Sequence, residues 1–327
     1  MYKTKAFLVI PTIRNLDFLR SWGEAFSSCH LIIVGDRYGS EIDLPKAKFS
    51  SIKLVTRQDI DDEFGKDAWI FSRHNAGIRC YGFWKAYQAG ADVVVTLDDD
   101  CFPAGDNLIK GHLDNLNFKI PLSWINTYPN PKWMFTRGMP YKNRNKIKVC
   151  LSHGLWSGAL DLDGITEVRL KRLLNEQKYP PIRQLIPSGY FYPMCSMNMA
   201  FRREIMPLMF FPMMGEDPFG KKWPYDRFDD IWAGIFSKKI MDHLNLGVIN
   251  GSPFVLHKKA SKPKENYSKE INGLKINEMI WKLVNDVRLT KDNPKDCYME
   301  LASKIKFPET KYFKKLKEAM IIWANLF

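Results

Sequence analysis

The chain has 327 residues, 45% of them hydrophobic, which is enough apolar material for one large α/β domain with a helical appendage and argues against disorder. Its 49 Lys and Arg outnumber 36 Asp and Glu, and the net charge of +13 attracts diphosphates, polyanions or acidic surfaces without choosing among them. Six scattered cysteines in apolar surroundings, with no CxxC pair, speak against a disulfide framework or zinc site and for a reducing cytoplasm. No apolar run reaches the roughly 20 residues needed to cross a bilayer, and Ala6 to Ile10 is too short for a signal-peptide core, so a soluble, unsecreted protein is expected.

In chain order, short β-rich runs alternate with helical patterns: Ala6 to Ile10, then Leu16 to Ala25, Leu31 to Val34, Ile52 to Val55, Arg73 to Tyr87, and Val93 to Leu97. That alternation predicts a parallel, doubly wound sheet. Each apolar strand runs into polar residues: Pro11-Thr12-Ile13-Arg14-Asn15 after the first, Gly35-Asp36-Arg37 after the second, and Asp98-Asp99-Asp100 after the fourth. Ligands of open α/β sheets bind at such carboxyl ends. From Pro121 to Tyr192 the pattern loosens, and the 17 residues Lys132 to Lys148 hold six basic side chains and no acidic one, as a loop built around negative charge would. The Met-rich stretch from Met194 to Met214 reads as core. A short helix is expected over Ile231 to Leu244, and amphipathic helices after Lys258, so the division expected is 1–260 for the α/β unit and 261–327 for a helical extension.

Three consecutive carboxylates at a strand end repel one another, and a divalent cation is the simplest compensation. Mg²⁺ or Mn²⁺ would use one or two of them together with substrate phosphate oxygens. The plainer alternative is an acidic turn capping the helix that begins near Gly105. Asp229-Asp230 precede an apolar helical run, so one can cap it while the other faces a pocket. His257 follows the apolar run Pro253 to Leu256 and reads either as a structural imidazole or as a further metal ligand. Arg137 and Arg144 in the basic run suit forked bonding to diphosphate, with solvated arginines as the alternative. No dinucleotide fingerprint, P-loop or serine-hydrolase pattern appears in a suitable context.

Several ordered blocks resemble the reversibly glycosylated polypeptide family of UDP-arabinopyranose mutases. They include Pro11 to Leu19, His30 to Val34, Asp98 to Phe102, Arg137-Gly138 with Pro140, Ser152 to Trp156, Pro193-Met194-Cys195, Asp229-Asp230 with Trp232-Ala233-Gly234, and His257. The blocks span residues 7 to 261. Arg37-Tyr38-Gly39 and the segment Lys221-Lys222-Trp223-Pro224 depart from the family pattern, and the last 66 residues carry no such block. The resemblance implies an A-type glycosyltransferase fold, Rossmann-like, with a mostly parallel central sheet flanked by helices. It further implies Mn²⁺ or Mg²⁺ at Asp98, Asp99, Asp100 and His257, and a UDP-sugar contacted by Pro11, Thr12, Arg14, Asn15, Asp36, Arg79 and Asp98. Catalytic roles fall to Arg137, Arg144, Asp229 and Asp230, with Arg137 at the position that becomes glycosylated in the family. The expected reaction is interconversion of the pyranose and furanose forms of a UDP-pentose. The alternative is transfer of the sugar to an external acceptor, under which nucleic acid becomes a conceivable partner, and the C-terminal helices offer a surface for a homo-oligomer.

Overall fold

The computed structural model describes residues 4–14, 16–37, 48–121, 136–141, 146–169, 182–258 and 262–327. Its first half contains β1 (Ala6–Thr12), β2 (His30–Gly35), β3 (Ser51–Val55), α1 (Arg57–Phe64), α2 (Arg79–Gln88), β4 (Val93–Leu97), β5 (Cys101–Pro103), α3 (Leu108–Leu116) and β6 (Lys119–Pro121). There follow β7 (Lys146–Gly158), α4 (Gly164–Arg169), β8 (Arg183–Leu185), β9 (Asn198–Arg202), α5 (Asp229–His243) and β10 (Leu246–His257). Four helices close the chain: α6 (Pro263–Glu270), α7 (Leu274–Asn285), α8 (Pro294–Lys304) and α9 (Lys311–Ala324).

The sheet runs β3-β2-β1-β4-β9-β7-β10-β5, with β6 beside β7 and β8 beside β10. Strands β3, β2, β1 and β4 are parallel to their neighbours, as are β7 and β10, and β9 is the antiparallel strand between the two groups. This is the expected Rossmann-like α/β architecture. Strand β1 is buried along its whole length, which is why it reads as a nearly unbroken apolar run. Helix α2 lies close against it because Gly82 has no side chain: a Cβ there would sit 2.5 Å from Val9 and 2.8 Å from Val34. The helix expected over Leu16 to Ala25 is instead a short 3-10 turn, Asp17–Trp22, ended by Gly23 at φ 53°. It nevertheless buries Phe18, Leu19 and Trp22.

Only Asp98-Asp99-Asp100 separate β4 from β5, yet these strands stand four places apart in the sheet. Four strand spacings of about 4.8 Å would put them roughly 19 Å apart if the sheet were flat, whereas four peptide steps span at most about 14 Å. The sheet must therefore curl, and β10 does the bending. Its register against β7 breaks between Gly251 and Phe254, after which Val255, Leu256 and His257 pair with Pro103, Phe102 and Cys101. The carbonyls freed at the break are met by buried amides: Asn198 Nδ2 donates to Leu155 O and Pro253 O, both at 2.9 Å, and Asn115 Nδ2 donates to Ser252 O at 2.6 Å. His112 joins this network through Ser152 Oγ and Asn198 Oδ1, each at 2.8 Å.

Helices α7, α8 and α9 share the core cluster that contains α2 and α5. Trp232 donates to Asn277, Trp323 to the Pro207 carbonyl, and the Tyr312 hydroxyl to the Met213 carbonyl. All seven methionines from Met194 to Met214 are buried, as expected of core residues. The six cysteines are buried and none forms a disulfide. Among the described residues no helix is long and apolar enough to cross a membrane.

Asn198→Ala should lower the unfolding free energy by about 2–4 kcal/mol, because it strands two buried carbonyls and the His112 ring. Burial pulls His112 down to about 4, against the Asn198 hydrogen bond and with help from His153. A depressed histidine adds stability that is complete above its ordinary pKa of 6.5 and is lost as the pH falls from there through about 4. Urea unfolding between pH 7 and 4 should show that slope in the wild type and a shallower one in His112→Gln.

Candidate active site

The carboxyl ends of β1, β2 and β4 open into a cleft of about 260 Å³ lined by Pro11 to Arg14, Asp36, His74 to Ala76, Ile78 and Asp98 to Asp100. Its far wall is His74 to Ala76, where His74 has φ 53° and Asn75 Oδ1 caps the turn by accepting from Gly77 N at 2.7 Å. This is why α2 starts at Arg79 rather than at Arg73, the start of the expected helix. Asp36 holds the wall in place: one carboxylate oxygen pairs with the buried Arg57 at 2.7 Å and the other accepts from His74 N. Gly215 allows the neighbouring chain to close against it, since a Cβ there would meet Arg73 O at 2.0 Å.

The three aspartates diverge. Asp98 pairs with Arg79, a fully buried arginine whose Nη1 donates at 2.8 Å to both Thr96 Oγ1 and Ser196 O, and whose Nε donates to Ala76 O at 3.0 Å. Burial lowers the Arg79 pKa, but Asp98, then Asp230 and Asp229, more than offset it, so the cation is held firmly. Asp99 turns toward β1, accepting from Thr12 Oγ1 at 2.7 Å and lying 3.2 Å from Arg14 Nη1. Burial raises its pKa, with the flanking carboxylates adding to the rise against Thr12 and Arg14.

Asp100 turns toward β10, where its Oδ2 lies 3.8 Å from His257 Nε2. That is too long for a hydrogen bond, and a carboxylate beside an imidazole is a donor pair of the kind that holds a divalent cation. His257 Nδ1 is engaged with the Ala159 carbonyl at 2.8 Å, which places its proton there and leaves the Nε2 lone pair toward Asp100. Burial alone would lower the His257 pKa, but Asp100 outweighs it and raises the value. The donor set fits a hard divalent cation that takes its remaining ligands from water and phosphate. Among the described residues no three His, Cys, Asp or Glu side chains converge to hold one unaided.

Asp229 and Asp230 open α5 behind Arg79. Asp230 Oδ2 accepts from Ser196 N at 2.9 Å and Ser196 Oγ at 3.0 Å, while Asp229 has no side-chain donor among the described residues. Burial raises both pKa values, with Asp229 pushed further by Asp230 and Asp226. Two adjacent carboxyls of unequal proton affinity can divide the roles of acid and base between them.

Arg137 is exposed on a turn before the buried Met139, and no hydrogen bond or ion pair ties it to another described residue. Asn15, Arg144, Lys132 and Lys142 lie outside the described residues, as does the junction at 260 and 261. Three members of the site carry no local signal in the sequence. Arg57 backs Asp36, Asp161 lies 3.5 Å from Cys195 Sγ, and Arg227 reaches both Asp161 and Glu270.

The family model for "Reversibly glycosylated polypeptide" matches residues 1–327, and so includes the C-terminal helices that carry no recognisable block. The chain is 38% identical to the probable UDP-arabinopyranose mutase 4 of Arabidopsis thaliana over 97% of its own length and 89% of that protein. It is 37% identical to UDP-arabinopyranose mutase 1 of the same plant, over 99% and 92%. With UDP-arabinopyranose mutase 1 of Oryza sativa subsp. japonica the identity is 36%, over 99% and 91%.

Arg79→Met should cost about 3–5 kcal/mol in chemical unfolding, since it leaves the buried acceptors Thr96 Oγ1 and Ser196 O unmet and takes the cation from Asp98. Asp229→Asn should act in the opposite sense. A carboxyl whose folded pKa is raised loses stability as the pH climbs from the ordinary carboxylate range through the raised value. The variant should therefore match the wild type near pH 4 and unfold at higher denaturant than it near pH 8.

Proposed function

The chain belongs to the reversibly glycosylated polypeptide family, and from that premise we propose that it interconverts the pyranose and furanose forms of UDP-arabinose. The observation that carries this reading is the near full-length similarity to proteins named UDP-arabinopyranose mutases. It is supported by a cleft lined by an anchored acidic strand end, and by a separate carboxyl pair of unequal proton affinity at the start of α5. The diphosphate is bound at Thr12, Arg14 and the aspartate run. A Mn²⁺ or Mg²⁺ ion at Asp100 and His257 would supply positive charge to the departing UDP. Six buried thiols support a cytoplasmic location.

The exchange of ring forms conserves every atom. The bond from C1 to the UDP oxygen breaks, C1 exchanges the ring oxygen O5 for O4, and UDP returns to C1. One proton leaves the O4 hydroxyl and one arrives on O5. In our reading the ionised Asp230 accepts the first and the protonated Asp229 donates the second, so the pair ends with its proton moved and its charge unchanged. While UDP is away, C1 is held as a glycosyl bond to an Arg137 nitrogen. That nitrogen gives up a proton as the bond forms and regains it when UDP displaces the arginine. A guanidinium is a poor nucleophile until deprotonated, so this step depends on a nearby base.

Purified protein incubated with UDP-arabinopyranose, Mn²⁺ and no acceptor should yield UDP-arabinofuranose on nucleotide-sugar chromatography. Absence of the furanose form, or UDP release that needs an added acceptor, would overturn the mutase reading. Asp230→Asn should lower kcat by about 100-fold or more, the usual scale for a lost general base. Arg137→Ala that keeps full turnover would remove the arginine-linked intermediate.

A further inference from the structure

We propose that Asp161, positioned by Arg227, binds the ring hydroxyls of the sugar and sets the preference for the sugar nucleotide over free UDP. The inference rests on the UDP-sugar reading above and adds a residue that the acid–base pair and the diphosphate anchor leave out.

Asp161 lies three residues beyond the end of β7, in a segment locked to His257: Ala159 N donates to His257 O at 3.1 Å, and His257 Nδ1 is engaged with Ala159 O at 2.8 Å. The position is thus rigidly tied to the candidate metal ligand. On its other side it lies beside Cys195, and the next residue, Ser196, donates to Asp230, so short links tie it to both the His257 and the Asp230 ends of the site. Its side chain is 33% exposed. Its partners among the described residues are Arg227 Nη2 and Cys195 Sγ, both at 3.5 Å. Charge-assisted hydrogen bonds are about 2.7–2.9 Å, so most of the acceptor capacity of this carboxylate is unspent. A carboxylate with acceptor capacity to spare accepts from two neighbouring hydroxyls, and the hydroxyls that a sugar nucleotide has and UDP lacks are those of its second sugar ring.

Arg227 supplies the geometry. It has φ 66°, in a region costly for a residue with a side chain and retained where the surroundings impose it. Its Nε donates to Glu270 Oε1 at 2.7 Å, and the other oxygen of Glu270 accepts from Gly164 N at 2.6 Å. Gly164 packs so tightly on α6 that a Cβ would stand 2.5 Å from the Tyr267 Cα. One edge of the guanidinium is therefore anchored by α4 and α6 together, and the other is directed to Asp161. Two carboxylates sharing one strained arginine leave the outer carboxylate incompletely satisfied, which is a binding arrangement rather than a closed structural pair.

The test is calorimetric titration of the full chain with Mn²⁺, using UDP and UDP-arabinopyranose separately, on wild type, Asp161→Ala, Asp161→Asn and Glu270→Gln, each checked for an unchanged thermal transition. The wild type should bind the sugar nucleotide more tightly than UDP. Asp161→Ala should weaken UDP-arabinopyranose at least ten-fold while leaving UDP within two-fold. Asp161→Asn, which keeps one acceptor, should fall between, and Glu270→Gln should show the same selective loss to a smaller degree. Equal weakening of both ligands, or no weakening of either, overturns the proposal, as does a wild-type preference that survives in Asp161→Ala. A wild type that binds UDP but shows no preference for the sugar nucleotide counts against the UDP-sugar reading itself.

Discussion

A completely buried guanidinium must find partners for its donors, and each nitrogen of Arg79 finds at least one, in three stretches of chain. Thr96 and Asp98 stand at the end of β4, Ser196 on the approach to β9, and Ala76 in the turn before α2. Leaving a donor unmet inside the protein costs more than the bond itself is worth, so the three stretches are fixed relative to one another as firmly as a core contact would fix them. The cleft inherits its shape from that requirement. Asp98 faces inward, and its neighbours Asp99 and Asp100, which follow it along the chain, turn toward β1 and β10.

The second constraint is length. A three-residue link between strands four places apart can exist only if the sheet curls, and the curl brings His257 from the far end of β10 to Asp100. The bend has its own cost, because a strand that breaks register frees backbone carbonyls in the interior. Asn115 and Asn198 meet that cost, and His112 and Ser152 hold the two amides. The buried polar network remote from the cleft thus supports the bend that brings His257 and Asp100, far apart in the chain, to 3.8 Å from each other.

Strands β1, β2 and β4 are readable because burial on both faces makes a strand apolar throughout, whereas the edge strand β3 shows instead as Ile52 and Leu54 alternating with the exposed Ser51 and Lys53. Strands β7 and β10 are not. Their polar residues Ser152, His153, Asn250 and Ser252 belong to the buried network or to the break in β10, so neither a continuous nor an alternating pattern survives. The same distinction holds within the site. Asp98 to Asp100 and Asp229-Asp230 are visible as consecutive carboxylates, whose mutual repulsion is itself the signal. Asp161, Arg227 and Arg57 are single charged residues among many, and their significance arises only from partners distant in the chain. Arg79 was picked out by resemblance alone, since an arginine at the start of an amphipathic helix looks like a solvated one. The C-terminal helices were expected from their amphipathic period, but their contact with the site through Glu270 and Asn277 depends on packing that periodicity does not encode.

Ser196 shows why these parts work as one device. Its carbonyl accepts from Arg79, while its amide and hydroxyl both donate to Asp230. Those two donors stabilise the ionised form of Asp230 and leave Asp229, without a side-chain donor, as the more basic partner. The unequal proton affinity of the pair is therefore set by a residue that is itself held by the same buried cation that orients Asp98. An isomerisation that neither consumes nor releases a proton needs this kind of internal donor and acceptor, and it needs them at a constant distance from the bond that breaks. With one arginine fixing both the strand-end carboxylate and the residue that polarises the pair, the aspartate run and the carboxyl pair share a rigid frame, and any displacement of Arg79 disturbs both together.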